Sequence, residues 1–345
     1  LTIMIVALLI MVTEVTAKTI KVGAAINLTG PASTWGQFHA KGQQDYFRYV
    51  NEVKGGIDGD EIEMILVDTM YKVTEAVAAV RKFAVRDNVD MIATWGAGEG
   101  LAAKPIIQRY KIPTINYSTS WEILEPPIDY MYLEYAEKHN IEIVTIEEFP
   151  SKTVDLTTEL LRLRKKGAEY IFMQMLPAAI ITTLKSADRI NYEPAFFGTW
   201  TSTDPDFFRM GKGLIRDRLR IQFPGGLPID ESEGIKVMEE LWKRYKTVDD
   251  FDASYWEGIS VGMIMEKAFI TAKKKYGKVT RETINKAMES FRDEDLGGLL
   301  PNISYSETNH EGSFKGRIVQ VHEDGRFVPL TNFFVPGKDE IKVVD

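Results

Sequence analysis

Apolar residues fall in short runs along the chain, separated by stretches of helical spacing. The first run, Ile3 to Val12, is ten residues of unbroken apolar sequence, too short to cross a bilayer as a helix. Polar residues and then Val15-Thr16-Ala17 follow it, the form of a secretory signal with its small-residue cleavage site, so residues 1–17 are expected to be a signal peptide cut after Ala17. The basic stretch usual before such a core is missing ahead of Ile3. Ile20 to Ile26 then reads as a strand broken by Thr29-Gly30-Pro31. A helix from about Gln37 to Val53 lines up Phe38, Gly42, Tyr46, Val50 and Val53 on one face and stops at Gly55-Gly56. Asp58-Gly59 turns into a strand from Glu61 to Val67. The helix Thr74 to Arg86 presents Val77, Val80 and Phe83 on one side. Asp90 to Thr94 and Ile112 to Tyr117 are short strands around a helix from Leu101 to Tyr110. Such β-α-β-α alternation implies a parallel sheet with helices on both faces, and places ligand-bearing loops at the carboxyl ends of the strands.

A second run repeats the pattern. Strands are expected at Ile141 to Glu147, Tyr170 to Met175, Ala195 to Gly198 and Leu219 to Phe223, with helices at Asp155 to Lys166 and Ala178 to Arg189. Phe223-Pro224-Gly225-Gly226-Leu227-Pro228 breaks the chain. Amphipathic helices near Glu233 to Tyr245, Tyr255 to Tyr276 and Arg281 to Phe291 come next. Near the end, Arg317 to Val321 and Arg326 to Leu330 flank Asp324-Gly325, a strong hairpin signal.

Composition narrows the function. The chain has 345 residues, a net charge of −8 and no cysteine, which excludes disulfides, thiolate metal sites and cysteine nucleophiles. The length suits two domains. An acidic chain without a basic cluster is a poor nucleic-acid binder. Gly96-Ala97-Gly98-Glu99-Gly100 misses the dinucleotide-binding spacing by one residue. His39, His139, His310 and His322 are isolated and read as surface residues, not metal ligands. The acidic positions Asp204, Asp206, Asp249, Asp250 and Asp252 lack calcium-loop spacing and read as a solvated face. No metal, cofactor or catalytic residue is expected.

Ile20-Lys21-Val22-Gly23, Leu28-Thr29-Gly30-Pro31, Trp35-Gly36, Gly42, Gly55-Gly56-Ile57-Asp58-Gly59 and Asp68 stand in the order and spacing of the extracytoplasmic solute-binding proteins of branched-chain amino-acid-type ABC importers. The chain resembles that leucine-binding-protein-like family from about Lys18 to about Val335. The resemblance implies a type I periplasmic-binding fold, two doubly wound parallel-sheet lobes joined by crossover strands. It places the first lobe at 18–125 plus 250–297 and the second at 126–249 plus 298–345. One departure stands out. Tyr130-Met131-Tyr132-Leu133 runs directly into Glu134 to Asn140 where the family carries a further helix and strand, so a βα unit of roughly 30 residues is expected to be missing near 133–134.

By the same resemblance, ligand-facing loops fall on Trp35, on Gly98, Glu99 and Gly100, on Ser118, Thr119 and Ser120, near Gln174 and Trp200, and at Tyr255-Trp256-Glu257. Backbone N–H groups at Gly98 and Gly100 can hold an anion, but the carboxylate of Glu99 would compete with it and favours a cationic or amide-bearing group. Trp35, Trp95, Trp121 and Trp200 lie in or beside these loops, and indole rings stack on planar groups, face cations or pack apolar chains. Trp200 stands where amino-acid binders of the family carry an acidic partner for the ligand's ammonium, which points to a more apolar, aromatic or quaternary solute. The expected role is capture of a small solute, an amino acid, an amide or an aromatic or apolar relative, outside the cytoplasmic membrane, and its delivery by a monomer to the permease of an ABC importer. A ligand-sensing protein of the same fold is the alternative, with a nucleotide-dependent enzyme a distant third.

Overall fold

The computed structural model describes residues 18–118, 120–133, 145–150, 153–248, 251–313 and 315–335. The expected signal peptide, Thr119, His139, Asp249, Asp250, the helix Glu134 to Asn140, most of the strand Ile141 to Glu147 and the junction after Leu133 lie outside them.

The first lobe is built on β1 (Thr19–Ile26), α1 (Ser33–Glu52), β2 (Glu61–Asp68), α2 (Val73–Lys82), β3 (Met91–Trp95), α3 (Ala97–Tyr110), β4 (Thr114–Tyr117) and β5 (Met131–Leu133). Its five strands are parallel in the order β2-β1-β3-β4-β5. β1 lies inside the sheet between β2 and β3, and Ile20, Val22, Ala24 and Ile26 are wholly buried, as the near-continuous apolar run requires of a strand covered on both faces. Two helices start earlier than their spacing suggests, α1 at Ser33 and α3 at Ala97. For α3 the cause is Gly96, whose φ of +94° makes the turn; it puts Gly98, Glu99 and Gly100 inside the first helical turns although glycine disfavours helix there.

The second lobe comprises α4 (Thr157–Lys165), β6 (Tyr170–Met173), α5 (Pro177–Arg189), β7 (Ala195–Thr199), α6 (Pro205–Gly211), β8 (Leu219–Phe223) and α7 (Glu233–Tyr245). The chain then returns to the first lobe as α8 (Ala253–Tyr276) and α9 (Arg281–Glu289), and β9 (Ser304–Ser306) pairs with β10 (Asn309–Gly312). β11 (Arg317–Val321) and β12 (Phe327–Pro329) complete the second sheet, in the order β12-β11-β8-β7-β6. β6, β7 and β8 are parallel, whereas β11 is antiparallel to both neighbours, with Gly325 at φ +88° in the expected hairpin turn.

Two segments sit on the other lobe from the one expected. β5 pairs with β4 in the first sheet, Thr114 opposite Met131 and Asn116 opposite Leu133. The β9-β10 ribbon packs beside it: His310 stacks on Tyr132 at 3.9 Å between ring centroids, and its Nδ1 meets the Met131 carbonyl at 2.8 Å. His310 is therefore buried, not a surface residue.

α1 and α8 pack through glycine. A Cβ on Gly42 would lie 2.2 Å from the Tyr255 carbonyl oxygen, and one on Gly258 only 2.0 Å from that of His39. Nothing larger fits at either contact, so the two backbones approach closely enough for residue 257 to reach across to α1.

Candidate functional site

The strand carboxyl ends of both sheets converge on one carboxyl group, that of Glu257 in α8. Its Oε2 accepts from the Trp35 indole N–H at 2.6 Å and the Trp95 indole N–H at 3.3 Å, and lies 2.6 Å from His39 Nδ1. Trp35 comes from the first turn of α1, Trp95 ends β3 and Tyr117 ends β4. Tyr117 packs at 5.6 Å from the His39 ring. From the other lobe, Trp200 follows β7, sets its ring edge-on to Tyr117 at 6.3 Å, and donates its indole N–H to the Tyr117 hydroxyl. Glu257 is completely buried, and its Oε1 has no hydrogen-bond partner.

Burial governs the charges here. It pushes the Glu257 carboxyl well above the usual carboxylate range, against hydrogen bonds from Tyr117, Trp35, Trp95 and Trp200 that favour the charged form. It also pushes the His39 imidazole down to about 3. Burial thus favours the neutral form of both members of the pair. No Lys or Arg among the described residues forms an ion pair with Glu257.

Glu99 is a second buried carboxyl on the same side. It lies in the first turn of α3 with 3% of its surface exposed. Burial raises its pKa to about 7, with Asp68 adding repulsion and the Thr69 hydroxyl opposing. Tyr71 and Trp95 pack together next to it at 5.7 Å. The region thus holds two carboxyl groups, one neutral histidine and a wall of rings.

Among the expected contacts, the structure brings Trp35 and Trp200 to the cage and places Glu99 beside it. Gly100 is buried because a Cβ there would stand 2.2 Å from Asn116 Nδ2, so its smallness serves packing. Gly98 is exposed. Ser118 and Ser120 are half-buried, and the Ser118 hydroxyl accepts from the Ser120 N–H at 2.9 Å. Gln174 is exposed just past β6. Trp256 belongs to the core between the lobes: its indole N–H donates to the Leu299 carbonyl at 3.2 Å and its ring packs on Phe223 at 4.9 Å. The residue after it, Glu257, carries the chemistry. His39 is buried, contrary to its reading as a surface residue. Asp204 and Asp252 cap α6 and α8 rather than forming a solvated face.

A cavity of about 450 Å³ lined by Glu193, Arg216, Arg218 and Arg220 lies at the amino ends of β7 and β8, the edge of the sheet away from the cage and from where ligands bind in open parallel sheets. Among the described residues no helix is long and apolar enough to cross a membrane.

Comparison with known proteins agrees with this architecture. A family model described as periplasmic binding protein matches residues 19–133 and 129–326. Similar solved structures include a branched-chain amino acid ABC transporter protein from Thermus thermophilus with bound valine, 21% identical over 93% of this chain and 97% of that one, TM-score 0.82. A fatty acid ABC transporter substrate-binding protein from Thermomonospora curvata is 19% identical over 94% and 95%, TM-score 0.77. A leucine-binding protein from Thermotoga maritima is 16% identical over 92% and 99%, TM-score 0.76. A search of curated proteins gave no match.

Proposed function

The chain belongs to the periplasmic binding protein family, and from that premise we propose that it captures a small solute between its two lobes, outside the cytoplasmic membrane, and presents it as a monomer to the permease of an ABC importer. The observation that carries this reading is the composition of the cage. Trp35, Trp95, Tyr117 and Glu257 come from the first lobe and Trp200 from the second, so a solute seated there touches both lobes only when they are together. A ligand that binds one arrangement better than another shifts the population toward it, and capture is then closure.

The similar structures carry, by their names, branched-chain amino acids and fatty acids. Those solutes frame the choice of test compounds. A thermal-shift screen across amino acids, amides, aromatic acids, fatty acids and quaternary amines, followed by solution scattering, checks the proposal. A bound solute is expected to raise the melting temperature, shrink the radius of gyration and change tryptophan fluorescence, the last effect reduced in Trp200→Ala. A full screen in which no compound moves either melting temperature or scattering would sink the capture reading.

A further inference from the structure

We propose that a second ligand site, apart from the cage, lies between α6, the β11-β12 hairpin and the segment that leads into α8, and that it takes a small uncharged apolar molecule, a single ring or a branched alkyl group in size. This goes beyond the capture reading and does not rest on it.

The site is a cavity of about 260 Å³ whose wall is formed by Phe208, Phe251 and Phe327. Phe327 stands edge-on to Phe208 at 6.1 Å and to Phe251 at 5.4 Å, and the wholly buried Phe223 stacks on it at 5.9 Å. The wall is thus an extension of the core, held by ring against ring. An apolar cavity of about 150 Å³ is enough for a benzene ring, so this one admits a substituted ring. Its position is that of a junction. Thr203 and Phe208 belong to the second lobe, whereas Phe251 and Ala253 stand where the chain passes back to the first, and small-molecule pockets concentrate at such boundaries.

The polar groups of the lining decide the chemistry. Among the described lining residues, the polar side chains are Thr203, Asp252 and Asp324, and each is already engaged. The Thr203 hydroxyl donates to the Trp200 carbonyl at 2.9 Å. Asp252 accepts from the Ser254 hydroxyl at 2.5 Å and from the Tyr255 N–H at 2.8 Å. Asp324 accepts from Arg326 through the side-chain N–H at 2.6 Å and the backbone N–H at 3.1 Å. An anion would meet two carboxyl groups and a single hydroxyl whose proton is taken. A cation would find Asp324 matched by Arg326 and Asp252 in a setting where burial favours the protonated form, so it would shed water without gaining a free counter-charge. An uncharged apolar molecule meets neither obstacle and takes ring surface out of water.

The test uses the full chain with toluene as the uncharged probe, and benzoate and benzylammonium as its anionic and cationic counterparts, each titrated against methyl-labelled protein by nuclear magnetic resonance. Toluene is expected to bind saturably and to move the methyl signals of Thr203 and Ala253, which line the cavity. It should bind about tenfold or more tightly than either charged probe, the equivalent of roughly 1.4 kcal/mol. Phe208 is half-buried, so Phe208→Trp puts a larger ring into the cavity and should weaken toluene by about the same tenfold factor. The comparison of the three probes on the unmodified protein stands independently of that variant. Benzoate or benzylammonium binding as tightly as toluene overturns the inference. So does toluene that fails to saturate, or that saturates while leaving Thr203 and Ala253 unmoved. Each of these results leaves solute capture standing, since the wider screen decides that separately.

Discussion

Glu99 shows two opposing forces on one carboxyl. The start of α3 favours its charged form by about 0.3–1 kcal/mol, yet burial wins and holds its pKa near 7. A carboxyl that binds its proton more tightly folded than unfolded stabilises the fold below the unfolded value of about 4.3, and that contribution is lost as pH rises through about 7. Stability should therefore fall between about pH 4.5 and 7, with Glu99 supplying up to about 3 kcal/mol of the change. Glu99→Gln is expected to flatten the curve of melting temperature against pH across that window. Asp204, also raised by burial, to about 6, would supply a residual slope of the same sign. An unchanged slope in Glu99→Gln would show that solvent reaches the carboxyl. The position of Glu99 at a strand's carboxyl end was legible from sequence, but its burial was not, because periodicity ranks only the apolar side of a helix. His39 failed for the same reason. It falls one position after Phe38 on the expected helix, and only the close approach allowed by Gly42 and Gly258 turns it into the interior.

At the scale of elements, strand periods were the best guide and edges the poorest. β1, β3, β4, β7, β8 and the β11-β12 hairpin lie within a residue or two of their apolar runs, whereas β5 was assigned to the wrong lobe because a three-residue strand has no period to read. β6 carries a more specific signal. Among the described residues it pairs only with β7, and Tyr170 and Phe172 on one face are 70% and 48% exposed while Ile171 and Met173 on the other are buried. The family model matches in two blocks that meet at 129–133. The two blocks support the proposal that the βα unit expected after Leu133 is missing. The two faces should then differ sharply in cost. Phe172→Ser is expected to change stability by no more than about 0.5 kcal/mol, whereas Phe196→Ala, on the buried face of the adjacent strand, should cost about 3–5 kcal/mol. Urea unfolding of the two variants decides it, and a cost above about 2 kcal/mol for Phe172→Ser would mean that this face is covered.

For the whole molecule, closure depends on bonds that cross between lobes. The chain passes between them three times, between β5 and β6, between β8 and α8, and between β10 and β11. The contacts that join them include two at the cleft. Trp200 reaches Tyr117, and the Thr34 hydroxyl at the start of α1 donates to Asp206 in α6 at 2.6 Å. The second can be removed cleanly. Asp206 keeps its ion pair with Arg209 at 2.9 Å, so Thr34→Ala leaves no lone charge behind and subtracts about 1 kcal/mol, the net worth of an ordinary hydrogen bond. If that bond forms only when the lobes are together, its loss lowers the closed population about fivefold relative to the open one and weakens any solute that binds by closure by up to the same factor. Solution scattering should show a larger radius of gyration for Thr34→Ala, and the solute identified by screening should bind more weakly, while melting in its absence stays within a few degrees of the unmodified protein. Equal scattering and equal affinity would place the Thr34–Asp206 bond in both arrangements, and control of closure would then rest with the other contacts between the lobes, among them Trp200 with Tyr117 and Tyr245 with Glu52.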